Sequence, residues 1–241
     1  MFEQAGCAGQ LCVQSLDGTR EVAVAADRPA VSASVFKVGV ALEAETQFAA
    51  GRLDPRERVT LPAANRTPGN IGFSLFRDDV DVSLQDLVVA MLTISDNHAT
   101  DALLDRIGIA AVNAGSVRLG LAGTVAAADL RTFINSIGHA AGFADWDAMW
   151  AWAARPHPVD EEEATVRRMM AAAFPPPARV SAKSGSLAGV IRNEIGVIEY
   201  PDDRGYAAAV FARAYRPWQN DAAINVAIGT AAAAAVAMLH D

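Results

Sequence analysis

Lysine is nearly absent from this chain. Of its 241 residues, 20 are Lys or Arg, and only Lys37 and Lys183 are lysines. Arginine serves surface charge and solubility equally well, so a chain that uses it everywhere else has a specific need at those two places. An ammonium can shed its proton when desolvated, whereas a guanidinium effectively cannot. Cysteine is equally scarce. Cys7 and Cys12 are too few for a disulfide framework, and beside an apolar strand they are expected as buried free thiols rather than a pair. The four histidines, His98, His139, His157 and His240, form no HxxxH or HxE pattern, so no zinc-type site is expected. No Lys/Arg run occurs and the formal charge is −8, which argues against a nucleic-acid partner. The opening "MFEQAGCAGQ" has neither a basic nor an apolar region of the signal-peptide kind. The Ala-rich tail "AIGTAAAAAVAML" runs for about 13 residues, read here as too short to cross a bilayer. The chain as written is therefore expected to be cytoplasmic and monomeric, without a membrane partner; a secretory leader removed beforehand would leave the same sequence. No G-x-S-x-G run is present, which removes the nucleophile elbow of the α/β hydrolases.

The pattern that is present alternates at both ends and is helical in between. "LCVQSL" (11–16) and "EVAVAA" (21–26) read as strands around an Asp-Gly turn, and residues 35–48 read as a helix. Residues 51–70, rich in Gly, Pro and charge, read as loop. Ser83 with Asp86 three residues later is a capping pattern ahead of an apolar helix. Further helical runs are expected at 99–107, 110–119, 126–137, 145–154 and 161–173. After the Pro-rich "FPPPARV" the texture becomes strand-like at 192–200 and 205–214, and a last helix is expected from Ile224 to Leu239. This order predicts one α/β (α+β) domain over 1–241. Its antiparallel sheet is built from both termini (1–50 and 178–241), with an inserted all-α lobe at 51–177.

Three short motifs carry the chemistry. Ser34-Val35-Phe36-Lys37 sits at a predicted helix start, where residues three apart share a face and backbone N–H groups suit an oxyanion. Serine is a weak nucleophile until a base takes its proton, and a desolvated lysine can be that base. Ser95-Asp96-Asn97 follows an apolar helix and offers a relay hydroxyl and an amide for a substrate carbonyl. Lys183-Ser184-Gly185-Ser186 opens the strand region, with a cation, two hydroxyls and a glycine that permits close backbone approach. Each motif alone reads equally well as a cap, a helix end or a turn. Together they stand in the order S-x-x-K, S-D-N, K-[ST]-G and contain both lysines of the chain.

In this order and spacing the chain resembles the class A β-lactamase-like serine hydrolases. The resemblance implies a β-lactamase/transpeptidase-like fold and a Ser34 acyl-enzyme formed on a β-lactam, amide or ester, a small and anionic acyl substrate. It implies Lys37 as the base, with Ser95 and Lys183 relaying a proton to the leaving group. Asn97 would position the acyl side chain, and the Ser34 and Ser186 N–H groups would form the oxyanion hole around Gly185. Ser184 and Arg192 would hold an anionic group. No cofactor or metal is implied. One element departs from the family. The deacylating Glu is expected near residue 131, where "LRTFIN" carries Arg131 and Asn135 instead. The acidic run Asp160–Glu163 reads as a helix start rather than as a substitute base. The missing Glu keeps two further readings open: an acyltransferase or biosynthetic enzyme, and a slow-turnover β-lactam-binding protein.

Overall fold

The computed structural model describes residues 1–130, 169–187, 189–218 and 220–240. The chain divides into two compact units, Met1–Val35 with Pro156–Asp241, and Phe36–Arg155.

The first unit is built on a five-stranded antiparallel sheet. Its strands are β1 (Cys7–Ser15), β2 (Glu21–Val24), β5 (Arg179–Leu187), β6 (Ile191–Glu199) and β7 (Gly205–Ala214), in the order β2-β1-β7-β6-β5. Both termini thus supply strands, and β5 forms an edge. Strict alternation drives the packing. On β7, Tyr206, Ala208, Val210 and Ala212 are buried, while the residues between them are more exposed. They join Leu11, Val13 and Ile198 in a core closed by α5 (Met169–Ala173) and α6 (Asp221–His240). The alanines of α6 let its backbone come close. A side chain at Gly229 would lie 2.2 Å from the Met169 carbonyl oxygen, so only glycine fits where α6 meets α5.

This last helix corrects the sequence reading of the tail. It is 20 residues long and apolar enough to cross a membrane by length and composition, because it begins at Asp221 rather than Ile224. Ile224, Ile228, Val236 and Leu239 are instead spent on the sheet core. Cys7 and Cys12 are free thiols, the first buried, and burial pushes both above the ordinary thiol range. Five residues apart on β1, they point to opposite faces of the strand, which forbids a bond between them.

The second unit packs α1 (Lys37–Ala49), α2 (Leu84–Thr93), α3 (Asn97–Ile107) and α4 (Ile109–Arg118) around Val40, Ala44, Leu84, Leu87, Met91 and Leu103. The division falls after Val35 rather than at residue 50, because α1 buries Val40, Ala41 and Ala44 among these helices. Ser83 caps α2: its hydroxyl accepts the Asp86 N–H at 3.1 Å and donates to the Asp86 carboxylate at 2.7 Å. The stretch expected as loop also holds β3 (Arg58–Leu61), paired antiparallel with β4 (Val80–Ser83). Its partner is distant in sequence and the strand has only four residues, too few to show a period. Residues 126–129 are not helical, α5 occupies 169–173, and the other expected mid-chain helices lie outside the described residues.

Candidate active site

In the helical unit, one buried amine gathers the S-D-N motif around itself. Lys37 is the first residue of α1 and is fully buried. Its Nζ donates to the Ser95 carbonyl oxygen at 2.6 Å, to Asn97 Oδ1 at 2.8 Å and to the Ser95 hydroxyl at 3.2 Å. Among the described residues, all of these acceptors belong to the S-D-N motif. Ser95 adopts a φ of +58°, a left-handed conformation that costs a non-glycine residue energy, and its carbonyl and hydroxyl both reach the same amine. The neighbours of Ser95 lock it there. Asp96 is fully buried, caps α3 by accepting the Ala99 N–H at 2.9 Å, and accepts the Phe73 N–H at 2.6 Å. Gly72, at φ +65°, passes so close that a Cβ would lie 2.0 Å from Asp96 Oδ2. Asn97 also donates to the Pro68 carbonyl at 2.9 Å, so the amide expected to face substrate is anchored at both ends.

In the sheet unit, Ser34 lies in a 3-10 turn, Ala33–Phe36, entered through Ala33 at φ +48°. Val35 closes the turn by donating to the Ser32 carbonyl at 3.2 Å. The expected helix over 35–48 therefore begins as a tighter turn and becomes α-helical only at Lys37. Gly185 of β5 presses directly on this turn. A side chain there would lie 2.8 Å from the Ser32 carbonyl oxygen, 2.8 Å from the Val35 nitrogen and 2.9 Å from the Ser34 nitrogen. Asn193, paired with Gly185 across β5 and β6, donates to the Val31 and Ser32 carbonyls at 2.8 and 3.1 Å. This Asn is almost wholly buried and holds the segment before the Ala33–Phe36 turn beside the edge strand. Sequence reasoning missed it. It stands beside Arg192 in "RNEI", and a buried Asn on a strand, which must find partners, was the available signal.

The other face of β5 and β6 collects a second group. Ser184 pairs with Glu194 and Ser186 with Arg192, so the four side chains share a face, whereas Lys183 and Gly185 belong to the opposite one. Lys183 Nζ donates to the Ser184 carbonyl at 2.7 Å. Arg192 is 7% exposed, not a surface arginine, and donates to Asp221 at the start of α6 at 2.6 Å. Asp221 is a second group that the sequence reading missed, because its partner lies on another element. Glu194 is buried and accepts the backbone N–H of Met170. Desolvation pushes its carboxyl up to about 7, against the lowering effects of that hydrogen bond and of the Lys183 charge.

The structure thus brings together Lys37, Ser95 and Asn97 in one unit, and Ser34 with Gly185 in the other, whereas the side chains of Ser184, Ser186 and Arg192 lie on the opposite face of β5 and β6 from Gly185. Connectivity ties the two sets: the Ala33–Phe36 turn leads straight into Lys37. Arg131, Asn135 and Asp160–Glu163 lie outside the described residues. Among those described, no group of three His, Cys, Asp or Glu side chains is arranged to hold a metal.

Comparison with known proteins agrees with this fold. The chain is 29% identical over 105 residues to the β-lactamase regulatory protein BlaB of Streptomyces cacaoi, a match covering 43% of this chain and 34% of that one. It spans only about a third of that relative's length. The β-lactamase of Sphaerobacter thermophilus DSM 20745 superposes with a TM-score of 0.73 at 24% identity, over 98% of this chain and 92% of the other. A point mutant of PBP-A, solved as an acyl-enzyme complex with penicillin G, gives 0.71 at 20% identity, over 96% and 91%. At these identities the structural matches establish the fold: an antiparallel sheet flanked by helices, as in class A β-lactamases. A model of the β-lactamase enzyme family matches residues 1–149 and 162–239, and the chain belongs to that family.

Proposed function

We propose that this protein is a serine hydrolase that forms an acyl-enzyme at Ser34 on a β-lactam, amide or ester, and that it releases the acyl group slowly. Lys37 takes the Ser34 proton, and Ser95 and Lys183 return it to the leaving group, so that the proton is conserved over the acylation step. The Ser34 and Ser186 N–H groups bind the developing oxyanion, and Gly185 gives them room. Asn97 lines the acyl side; Ser184 and Arg192, expected from the resemblance to hold an anionic group, are turned to the sheet face away from the Ser34 turn, with Arg192 buried against Asp221. The observation that carries this reading is the fully buried Lys37, bonded to Ser95 and Asn97 and three residues from Ser34. Packing alone gives no reason to place a lysine there. PBP-A is recorded with penicillin G as an acyl group, which makes a penicillin the first substrate to try.

Slow release follows from Arg131 standing where the family spacing places the deacylating Glu. A positioned general base contributes on the order of 10²–10⁴-fold, so loss of the base slows deacylation by about that factor relative to an enzyme that has it. The test is intact mass over time with a chromogenic β-lactam and, separately, an activated ester. A one-to-one adduct that outlasts the burst of chromophore supports the reading. Steady chromophore release with no accumulating adduct points to rapid hydrolysis, and no adduct with either reagent contradicts the acyl-enzyme itself.

A further inference from the structure

Between β2 and the Ala33–Phe36 turn the chain crosses residues 25–32 without a strand or helix to fix it. Its described backbone hydrogen bonds are local: the Arg28 N–H donates to the Ala25 carbonyl, and the Val35 N–H to the Ser32 carbonyl, each at 3.2 Å. The end of this segment is held from outside by one side chain. Asn193, 1% exposed, donates from Nδ2 to the Val31 carbonyl at 2.8 Å and to the Ser32 carbonyl at 3.1 Å. Its Oδ1 accepts the Ala212 N–H of β7 at 3.3 Å. The amide fits only one way round, since turning it over would set its oxygen against two carbonyls and its NH2 against an N–H. Asparagine is a poor strand former, so at an interior strand it serves for the bonds it makes rather than for propensity.

The Ser32 carbonyl is the joint of this arrangement. It closes the turn that carries Ser34, it accepts from Asn193, and it lies 2.8 Å from where a Cβ on Gly185 would stand. The next residue, Ala33, sits at φ +48°, a conformation that a residue other than glycine keeps only when its surroundings hold it. Resting on the acyl-enzyme reading above, we infer that Asn193 is a positioning residue for acylation: by clamping the Val31 and Ser32 carbonyls to β6 and β7, it keeps Ala33 left-handed and Ser34 beside the edge strand. Both of its N–H bonds are committed to backbone carbonyls, so it acts through the chain and not on the substrate.

The test is the rate of Ser34 adduct formation with penicillin G, followed by rapid-quench intact mass over a range of concentrations, for the unmodified protein, Asn193→Ala and Asn193→Thr. Thr suits a strand and fills most of the space, but its hydroxyl stops one atom short of Nδ2. Both variants are expected to lower the limiting acylation rate on the order of 10–100-fold, the scale set by a small misplacement of a reacting group, with the half-saturating concentration nearly unchanged. Loss of folded protein has a different signature: it reduces the final extent of labelling and leaves the rate constant of the remaining molecules as it was. Hydrogen exchange at the Val35 amide, whose bond to Ser32 the clamp supports, should quicken in both variants, and this needs no acyl chemistry. Thr carries the comparison should the Ala variant fold poorly. An unchanged limiting rate in the folded variants, an effect confined to the half-saturating concentration, or Val35 exchange that does not change would overturn the positioning role while the acyl-enzyme stands. Absence of an adduct on the unmodified protein would overturn both.

Discussion

Lys37→Arg is expected to slow acylation of Ser34 as severely as Lys37→Ala, by about 10²–10⁴-fold. The measure is the rate of adduct formation by rapid-quench intact mass, with folding checked by circular dichroism. Charge alone would let arginine substitute. This chain uses arginine at 18 positions and lysine at only two, so the choice at 37 is not one of supply. The amine is fully buried and bonded to the Ser95 carbonyl, the Ser95 hydroxyl and Asn97 Oδ1. A guanidinium has five donors in a fixed plane and keeps its proton, so it can neither fit this set nor act as a base. Near-normal acylation in Lys37→Arg would end the proton-carrier role.

Gly185→Ala should cost acylation on the order of a hundredfold or more and about 1–3 kcal/mol of stability. Its added methyl would lie 2.8–2.9 Å from the Ser32 oxygen and the Ser34 and Val35 nitrogens. All three are backbone atoms, which cannot swing aside as a side-chain end can. Relief requires β5 and the Ala33–Phe36 turn to separate, which moves Ser34 and the N–H groups proposed for the oxyanion together. The separation also strains the Asn193 hydrogen bonds to Val31 and Ser32. Chemical denaturation and single-turnover acylation measure the two effects. A Gly185→Ala protein with unaltered acylation would show that this close approach does not position the nucleophile.

The outline of both the fold and the site is legible in the sequence, for reasons particular residues make plain. β7 announces itself by an alternation that one buried face requires, and α2 by the Ser83–Asp86 cap. The three motifs are legible because each sets particular residue types at particular offsets, and both lysines fall within them. Groups whose meaning depends on a distant partner are not legible this way. Asn193 matters only because Gly185 and the Ser32 carbonyl lie across from it. Asp221 matters only because the α6 start falls beside Arg192. Glu194 reads as one more charge on a strand until its burial against the Met170 N–H is seen. The start of α1 is blurred for a local reason: a 3-10 turn and an α-helix share apolar spacing over four residues, and the strained Ala33 and Ser95 leave no mark in composition.

Every role assigned above depends on the Ser34 hydroxyl attacking an acyl substrate. Peptide mapping of the protein after reaction with penicillin G or an activated ester, run beside Ser34→Ala, reads that attack without an intermediary. One acyl group per chain is expected on the peptide carrying Ser34, and none on the Ser34→Ala protein. An acyl group on any other residue, or equal labelling of the two proteins, would contradict Ser34 as the nucleophile.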